Sequence, residues 1–116
     1  VFTKGVDLLD LPIRHGEGKL IPQDDATLKA LVDNNLVALQ YAAPETGQPT
    51  QDYPANPNGS AHGIAALTDP TGRLFGLMPH PEAYVHRTHH PRWTREDLPE
   101  TGDGLRIFAN AVRYFE

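Results

Sequence analysis

Residues 76–82 read GLMPHPE, an apolar run that ends in a histidine and a glutamate framed by prolines. The run begins at residue 73, directly after the turn residues DPTG at 69–72, and this pattern predicts a buried strand over residues 73–78. Each proline fixes its own φ at about −65° and pushes the preceding residue toward extended geometry. Because His80 stands between two prolines, its backbone has few conformations available.

His80 and Glu82 are two positions apart, which in an extended segment places both side chains on one side. A carboxylate beside an imidazole can fix its tautomer and stabilise its charged form, as a general base requires. An open α/β sheet has its ligand crevice at the carboxyl ends of its strands. The residues alone leave two interpretations: a catalytic base with its orienting acid, or a stiff surface turn with two solvated side chains.

A second polar segment follows the apolar residues 5–13, whose latter half is predicted to be a strand. The next five residues read RHGEG, and glycines at positions 16 and 18 allow backbone amides to approach a ligand closely. His15 and Glu17 flank that opening. This segment is either a ligand-binding loop or a tight turn with solvated side chains.

Short strands and two helices account for most of the remaining pattern. Asp24 is predicted to cap a helix of about ten residues that ends at residues 34–35. Strands are predicted at residues 19–21, 36–42 and 63–68, the last forming a hairpin with residues 73–78. Residues 43–62 form a long, proline-rich and glycine-rich loop, a feature that is usually functional or disordered.

The chain ends in a predicted helix that begins at Gly102 or Asp103. Its apolar residues recur at the spacing of a core-facing stripe, so we expect this helix to cover the sheet. The stripe comprises Leu105, Phe108, Ala109, Val112 and Phe115. Trp93 is expected to pack the preceding loop, residues 91–102, against the protein.

A histidine cluster and Ser60 both have simpler interpretations than a functional site. His86 and His90 are four positions apart with His89 nearby, a spacing found in some zinc sites. The segment lacks an H-E-x-x-H motif, however, so a solvated polar segment is favoured and no metal is predicted. Ser60 has no Gly-X-Ser-X-Gly elbow around it, so it is predicted to order a turn and not to act as a nucleophile.

Composition restricts the classes of function. The 116 residues are 39% hydrophobic, enough for one domain with a modest core. A net charge of −5 argues against a nucleic-acid partner, and no apolar run approaches the ~20 residues of a membrane helix. There is no cysteine, which excludes disulfides and thiolate metal sites. The cytoplasm is the expected location.

Several blocks of the sequence resemble class I (triad-type) glutamine amidotransferases. The MPHPE segment after GRLFG is similar to the catalytic His/Glu segment of that family. The branch it resembles most is the glutaminase domain of phosphoribosylformylglycinamidine synthase. Further agreeing blocks occur in the family's order: PIRHGEG at 12–18, DDA at 24–26, YPANPNGS at 53–60 and RIFANA at 106–111.

The resemblance implies an α/β fold, namely the C-terminal half of a flavodoxin-like open sheet with flanking helices. Residues 1–116 would then be a single partial domain. In that family a Cys nucleophile on a strand-to-helix elbow precedes this region, and the present chain has no cysteine. The first residue is Val1 and the only methionine is Met78, so we expect the nucleophile to lie upstream. The Trp93 segment looks more like the long single-chain form of the synthase than a separate subunit.

The resemblance also implies the role of each site residue. His80 would activate the thiol, Glu82 would orient His80, and His15, Gly16 and Glu17 would bind the glutamine substrate. The expected partners are glutamine, the N-terminal glutaminase half and a synthetase domain that uses ATP and Mg. No cofactor is expected in this chain, which alone should be inactive. Many relatives carry Arg where this chain has Ala83.

Two alternatives remain open beside this hypothesis. The chain could be a non-catalytic interaction or regulatory module, although a decayed site need not retain His80, Glu82 and the loop at residues 15–17 together. It could also be a metal-binding domain that uses its clustered histidines.

Overall fold

The computed structural model describes residues 1–116, and the contacts of the chain divide into two units. One unit spans His15–Met78, and the other combines Val1–Arg14 with Pro79–Glu116. The chain has an α/β fold, as predicted, with one three-stranded antiparallel sheet and two α-helices. Neither helix is both long and apolar enough to span a membrane.

The sheet lies in the unit His15–Met78. Its strands are β1 (Val37–Gln40), β2 (Ile64–Thr68) and β3 (Phe75–Leu77), in the order β1-β2-β3. The three strands predicted at residues 36–42, 63–68 and 73–78 are confirmed with shorter bounds. The central strand β2 supplies the core of this unit, because its first three residues are 0–5% exposed.

The turn between β2 and β3 is fixed by Asp69. Its carboxylate accepts hydrogen bonds from the Thr71 hydroxyl at 2.6 Å and from the amides of Arg73 and Leu74 at 2.9 Å each. These bonds, led by the one from the Thr71 hydroxyl, lower the pKa of Asp69 to about 2. The predicted hairpin is therefore confirmed, and Asp69 is its main polar anchor.

Helix α1 (Asp25–Asp33) begins as predicted. The Asp24 carboxylate accepts a hydrogen bond from the amide of Thr27 at 2.7 Å, which satisfies one of the free amides of the first turn and lowers the pKa of Asp24. Asn34 caps the other end through its amide, and Asn35 adopts a left-handed φ of 55°. The helix buries none of its residues fully.

The other unit contains two 3₁₀ turns, Pro81–Ala83 and Arg87–His89, and helix α2 (Gly104–Phe115). The predicted start of α2 is confirmed, since Asp103 is its N-cap residue. The predicted core-facing stripe is wrong. The residues of that stripe that remain exposed by 39–74% are Leu105, Phe108, Val112 and Phe115.

Helix α2 instead buries the face that carries Gly104 and Ile107, one helical turn apart. Ile107 is 3% exposed, and this face packs against the 3₁₀ turn Pro81–Ala83. A small residue at Gly104 allows this close approach, and the apolar period alone could not indicate it. The expectation for Trp93 is wrong as well, because its side chain is 42% exposed.

Two predicted strands are absent, those in the latter half of residues 5–13 and at residues 19–21. In the first segment the backbone bonds groups outside any strand: the amide of Asp10 donates to the Asp103 carboxylate at 2.9 Å, and the carbonyl of Pro12 accepts from the amide of His80 at 2.8 Å. In the second segment the amide of Leu20 donates to the hydroxyl of Ser60, which lies in a turn. Neither segment pairs with a neighbouring strand.

Candidate active site

His80 and Glu82 are in direct contact. The Nδ1 atom of His80 lies 2.6 Å from Oε1 of Glu82, and the two side chains are 37% and 59% exposed. The local backbone differs from the extended segment that the sequence predicted, because Pro81–Ala83 forms a 3₁₀ turn that begins directly after His80. The prolines therefore bring the two side chains together through a turn.

The polarity of this contact follows from the charge of Glu82. Its pKa is lowered, chiefly by the hydrogen bond from His80, then by its own backbone amide and by the positive charges of His80 and Arg14. An ionised carboxylate only accepts hydrogen bonds, so Nδ1 of His80 carries the hydrogen. In the neutral imidazole this leaves a lone pair on Nε2, the atom that could accept a proton from another group.

The backbone of His80 is also fixed. Its amide donates to the carbonyl of Pro12 at 2.8 Å, and its carbonyl accepts from the amide of Ala83 at 3.1 Å. With Pro79 buried on its N-terminal side, the imidazole is presented from a backbone held on both sides.

His15 lies in the other unit and is held by a different set of contacts. Its Nδ1 lies 2.7 Å from Nδ2 of Asn58, so Nδ1 accepts and Nε2 carries the hydrogen. That Nε2 is buried without a hydrogen-bond partner. The ring rests against the backbone of Gly18, where a Cβ atom would overlap it.

Gly16 and Glu17, the other two predicted substrate residues, are exposed. A Cβ atom built on Gly16 would meet nothing within 4 Å. The space on the Cβ side of Gly16 is therefore open, beside the exposed carboxylate of Glu17.

The turn that carries Asn58 is stabilised by a buried pair. Asn56 donates to the carbonyl of Ser60 and accepts from its amide, both at 3.0 Å. The Ser60 hydroxyl accepts from the amide of Leu20 at 3.0 Å, and Ser60 is 0% exposed. Ser60 orders this turn, as predicted, and is not accessible as a nucleophile.

The clustered histidines do not form a metal site. His86 contacts Glu100 at 2.6 Å, and His89 accepts from the amide of Val85. No three His, Cys, Asp or Glu side chains lie together in a metal-binding arrangement. The expectation of a solvated segment is wrong for His90, which is 6% exposed and lies 3.3 Å from Asp10.

Sequence reasoning missed several supporting residues. Asn58 lies in the long loop at residues 43–62, and no pattern in the sequence indicates that its side chain contacts His15. The positive charge of Arg14 helps to lower the pKa of Glu82, a role that no pattern in the sequence indicates. The signal for Gly104 in the sequence is the Gly-X-Gly triplet at residues 102–104, whose last glycine begins the helix and which is typical of close backbone approach.

Comparison with known proteins gives a consistent result. Residues 1–115 match the model of the CobB/CobQ-like glutamine amidotransferase domain. A Dehalococcoides mccartyi protein named phosphoribosylformylglycinamidine synthase subunit PurQ is 47% identical over 114 residues, which cover 98% of this chain and 42% of that protein. A Methanococcus maripaludis (strain C5) protein of the same name is 40% identical over 125 aligned positions, which cover 99% of this chain and 46% of the relative.

The chain thus spans less than half the length of these relatives. The family match, in contrast, extends over nearly all of the chain. On this match, the chain belongs to the CobB/CobQ-like glutamine amidotransferase domain family.

Proposed function

We propose that this chain supplies the histidine and the glutamate of a Cys-His-Glu triad that releases ammonia from glutamine. The observation that carries the proposal is the 2.6 Å contact between His80 Nδ1 and Glu82 Oε1, which leaves Nε2 of His80 as the proton acceptor. The nucleophile would come from the rest of the parent protein, because this chain has no cysteine.

In the proposed reaction, Nε2 of His80 removes the proton from the cysteine thiol. The resulting thiolate attacks the side-chain amide carbon of glutamine, and the same Nε2–H then protonates the departing nitrogen, which leaves as ammonia. Glu82 stabilises the imidazolium that exists between these two steps. A water molecule hydrolyses the thioester to glutamate and restores the thiol.

The second part of the proposal assigns the substrate to the loop of His15, Gly16 and Glu17. The exposed carboxylate of Glu17 suits the α-ammonium group of glutamine. The open surroundings of Gly16 would allow its backbone to approach the substrate closely. His15 Nε2–H is a donor with no partner in the protein and suits a carboxylate.

For the parent protein, we infer the glutaminase component of phosphoribosylformylglycinamidine synthase. Two relatives that match nearly the whole chain carry the name of a synthase subunit. Their names favour a separate subunit over the single long chain expected from the Trp93 segment. Ammonia would pass to a synthetase component that uses ATP and Mg to aminate formylglycinamide ribonucleotide in purine biosynthesis.

The proposal is tested by measuring glutamate release from glutamine by the full-length protein that carries this chain. His80→Ala should lower the rate by about 10²-fold or more, since general acid–base catalysis contributes about 10²–10⁴-fold. His89→Ala is the matched control, because His89 is an exposed imidazole in the same unit, and it should retain the rate. Chain 1–116 alone should release no glutamate. A full-length His80→Ala protein with the unchanged rate would favour the non-catalytic module.

A further inference from the structure

The segment Gly102-Asp103-Gly104 contacts the His80–Glu82 segment from two directions. Through its glycines it touches the 3₁₀ turn that contains Glu82, and through Asp103 it touches the chain that holds the amide of His80. We infer that these three residues position the His80–Glu82 pair without contacting the substrate. This inference rests on the proposed role of the pair in glutamine hydrolysis.

The first connection is the close approach of Gly104 to Pro81. A Cβ atom on Gly104 would overlap the carbonyl oxygen of Pro81 and would lie 2.6 Å from its carbonyl carbon. The amide of Gly104 also donates to the carbonyl of Tyr84 at 2.8 Å. Helix α2 therefore begins in van der Waals contact with the backbone on both sides of Glu82, and only glycine fits there.

The second connection repeats this geometry two residues earlier. The amide of Gly102 donates to the carbonyl of Val85 at 3.1 Å, and a Cβ atom on Gly102 would lie 2.5 Å from the Tyr84 carbonyl oxygen. Both glycines are buried, and Tyr84 is 6% exposed. The chain immediately after the pair is thus clamped along the residues from 81 to 85.

The third connection runs through Asp103 to the other side of His80. Asp103 is the N-cap residue of α2, yet its side chain makes no capping hydrogen bond. Its Oδ2 instead accepts from the amide of Asp10 at 2.9 Å. Two residues further along, the carbonyl of Pro12 accepts from the amide of His80 at 2.8 Å. Asp103 therefore fixes the segment on which the backbone of His80 rests.

These contacts explain why α2 presents Gly104 to its neighbours and leaves much of its apolar side exposed. Alanine at an ordinary helical position stabilises a helix relative to glycine, and no positive φ requires glycine at position 104. The need for glycine there comes entirely from the carbonyl of Pro81. A substitution would move Pro81 and Glu82 by a distance on the order of 1 Å, a misplacement that can cost about 10²-fold in rate.

The test uses the full-length protein with its synthetase partner. For Gly104→Ala we expect kcat with glutamine to fall about 10–100-fold, KM for glutamine to change less than about twofold, and synthesis from ammonium salts to persist. The matched control is Gly76→Ala, because a Cβ atom there meets nothing within 4 Å. It should leave all three quantities unchanged.

Asp103 provides a second variant in case Gly104→Ala fails to fold. Asp103→Ala removes the acceptor for the Asp10 amide without removing a helix cap, and should lower kcat in the same way. Asp103→Asn keeps an acceptor oxygen and should restore most of the rate. Unchanged kcat in both Gly104→Ala and Asp103→Ala would overturn the inference, as would equal losses with glutamine and ammonium.

A spectroscopic measurement separates this inference from the proposed function. The ring ¹⁵N shifts of His80, assigned by comparison with His80→Ala, should report a hydrogen-bonded Nδ1–H in the parent protein and its loss in Gly104→Ala. If that signature changes while His80→Ala itself retains glutamine hydrolysis, the positioning is correct and the proposed function is wrong. If the signature is identical in Gly104→Ala and in the parent protein, the positioning is wrong.

Discussion

Replacing Asn56 with alanine is expected to open the turn that carries Asn58. The substitution removes two hydrogen bonds with Ser60, both of 3.0 Å. Asn56 is 2% exposed and Ser60 0%, so water cannot replace either bond in the folded state. A buried polar group left unsatisfied costs about 1–3 kcal/mol. Only the Ser60 amide loses its last partner, because the Ser60 carbonyl also accepts from the amide of Gly63 at 3.0 Å. The expected cost is therefore about 1–3 kcal/mol, a substantial part of the ~5–15 kcal/mol that stabilises a typical domain.

Native-state hydrogen exchange measures this local cost directly. The amide of Ala61 is the reporter, since its own bond to the carbonyl of Leu20 (3.1 Å) is not altered by the substitution. The matched control is Asn34→Ala, which removes an exposed bond to the carbonyl of Ala30 and should cost less than about 1 kcal/mol. The reasoning is refuted if Asn56→Ala lowers the opening free energy at Ala61 by no more than Asn34→Ala does.

Gly18→Ala should displace the His15 ring and raise KM for glutamine with little change in kcat, because the new Cβ would overlap the imidazole; an unchanged KM would remove His15 from the substrate site. The pKa of Asp69 is depressed from 3.8 to about 2, so the contribution of its carboxylate to hairpin stability is present above about pH 4 and is lost as the pH falls toward 2. The NMR shift of the Leu74 amide should titrate in that window. A titration midpoint near pH 4 would contradict the assignment. The isolated chain should self-associate through the open edges of its sheet and the exposed face of α2. Sedimentation velocity should show weaker association for Phe108→Asp. A monomer at all concentrations would contradict this expectation.

The sequence predicts those parts of the fold whose polar partners are close along the chain. Asp24 caps α1 through Thr27, and Asp69 fixes its hairpin within five residues. The contact of His80 with Glu82 could likewise be anticipated, because two prolines restrict a three-residue segment. In each case the stabilising groups and the residues they order are neighbours.

The incorrect predictions concern groups whose partners are distant in sequence. The segment at residues 5–13 resembles a strand by its apolar pattern, but the amide of Asp10 donates to Asp103, 93 residues further along the chain. His90 is buried and lies 3.3 Å from Asp10, 80 residues earlier. The face that α2 buries is chosen by the fit of Gly104 against Pro81. Hydrophobic periodicity contains no information about any of these contacts.

The proposed role of His80 and Glu82 is confined to the release of ammonia from glutamine. Its most direct test is a pair of assays on the full-length protein with its synthetase partner, one with glutamine and one with an ammonium salt. His80→Ala should abolish glutamine-dependent synthesis and leave ammonia-dependent synthesis largely intact, because free ammonia bypasses both proton transfers. Glu82→Gln should show the same pattern with a smaller loss, since the amide can still hold the imidazole but cannot stabilise its charged form. Equal losses in the two assays would mean that the pair only maintains the structure, and would contradict the catalytic assignment.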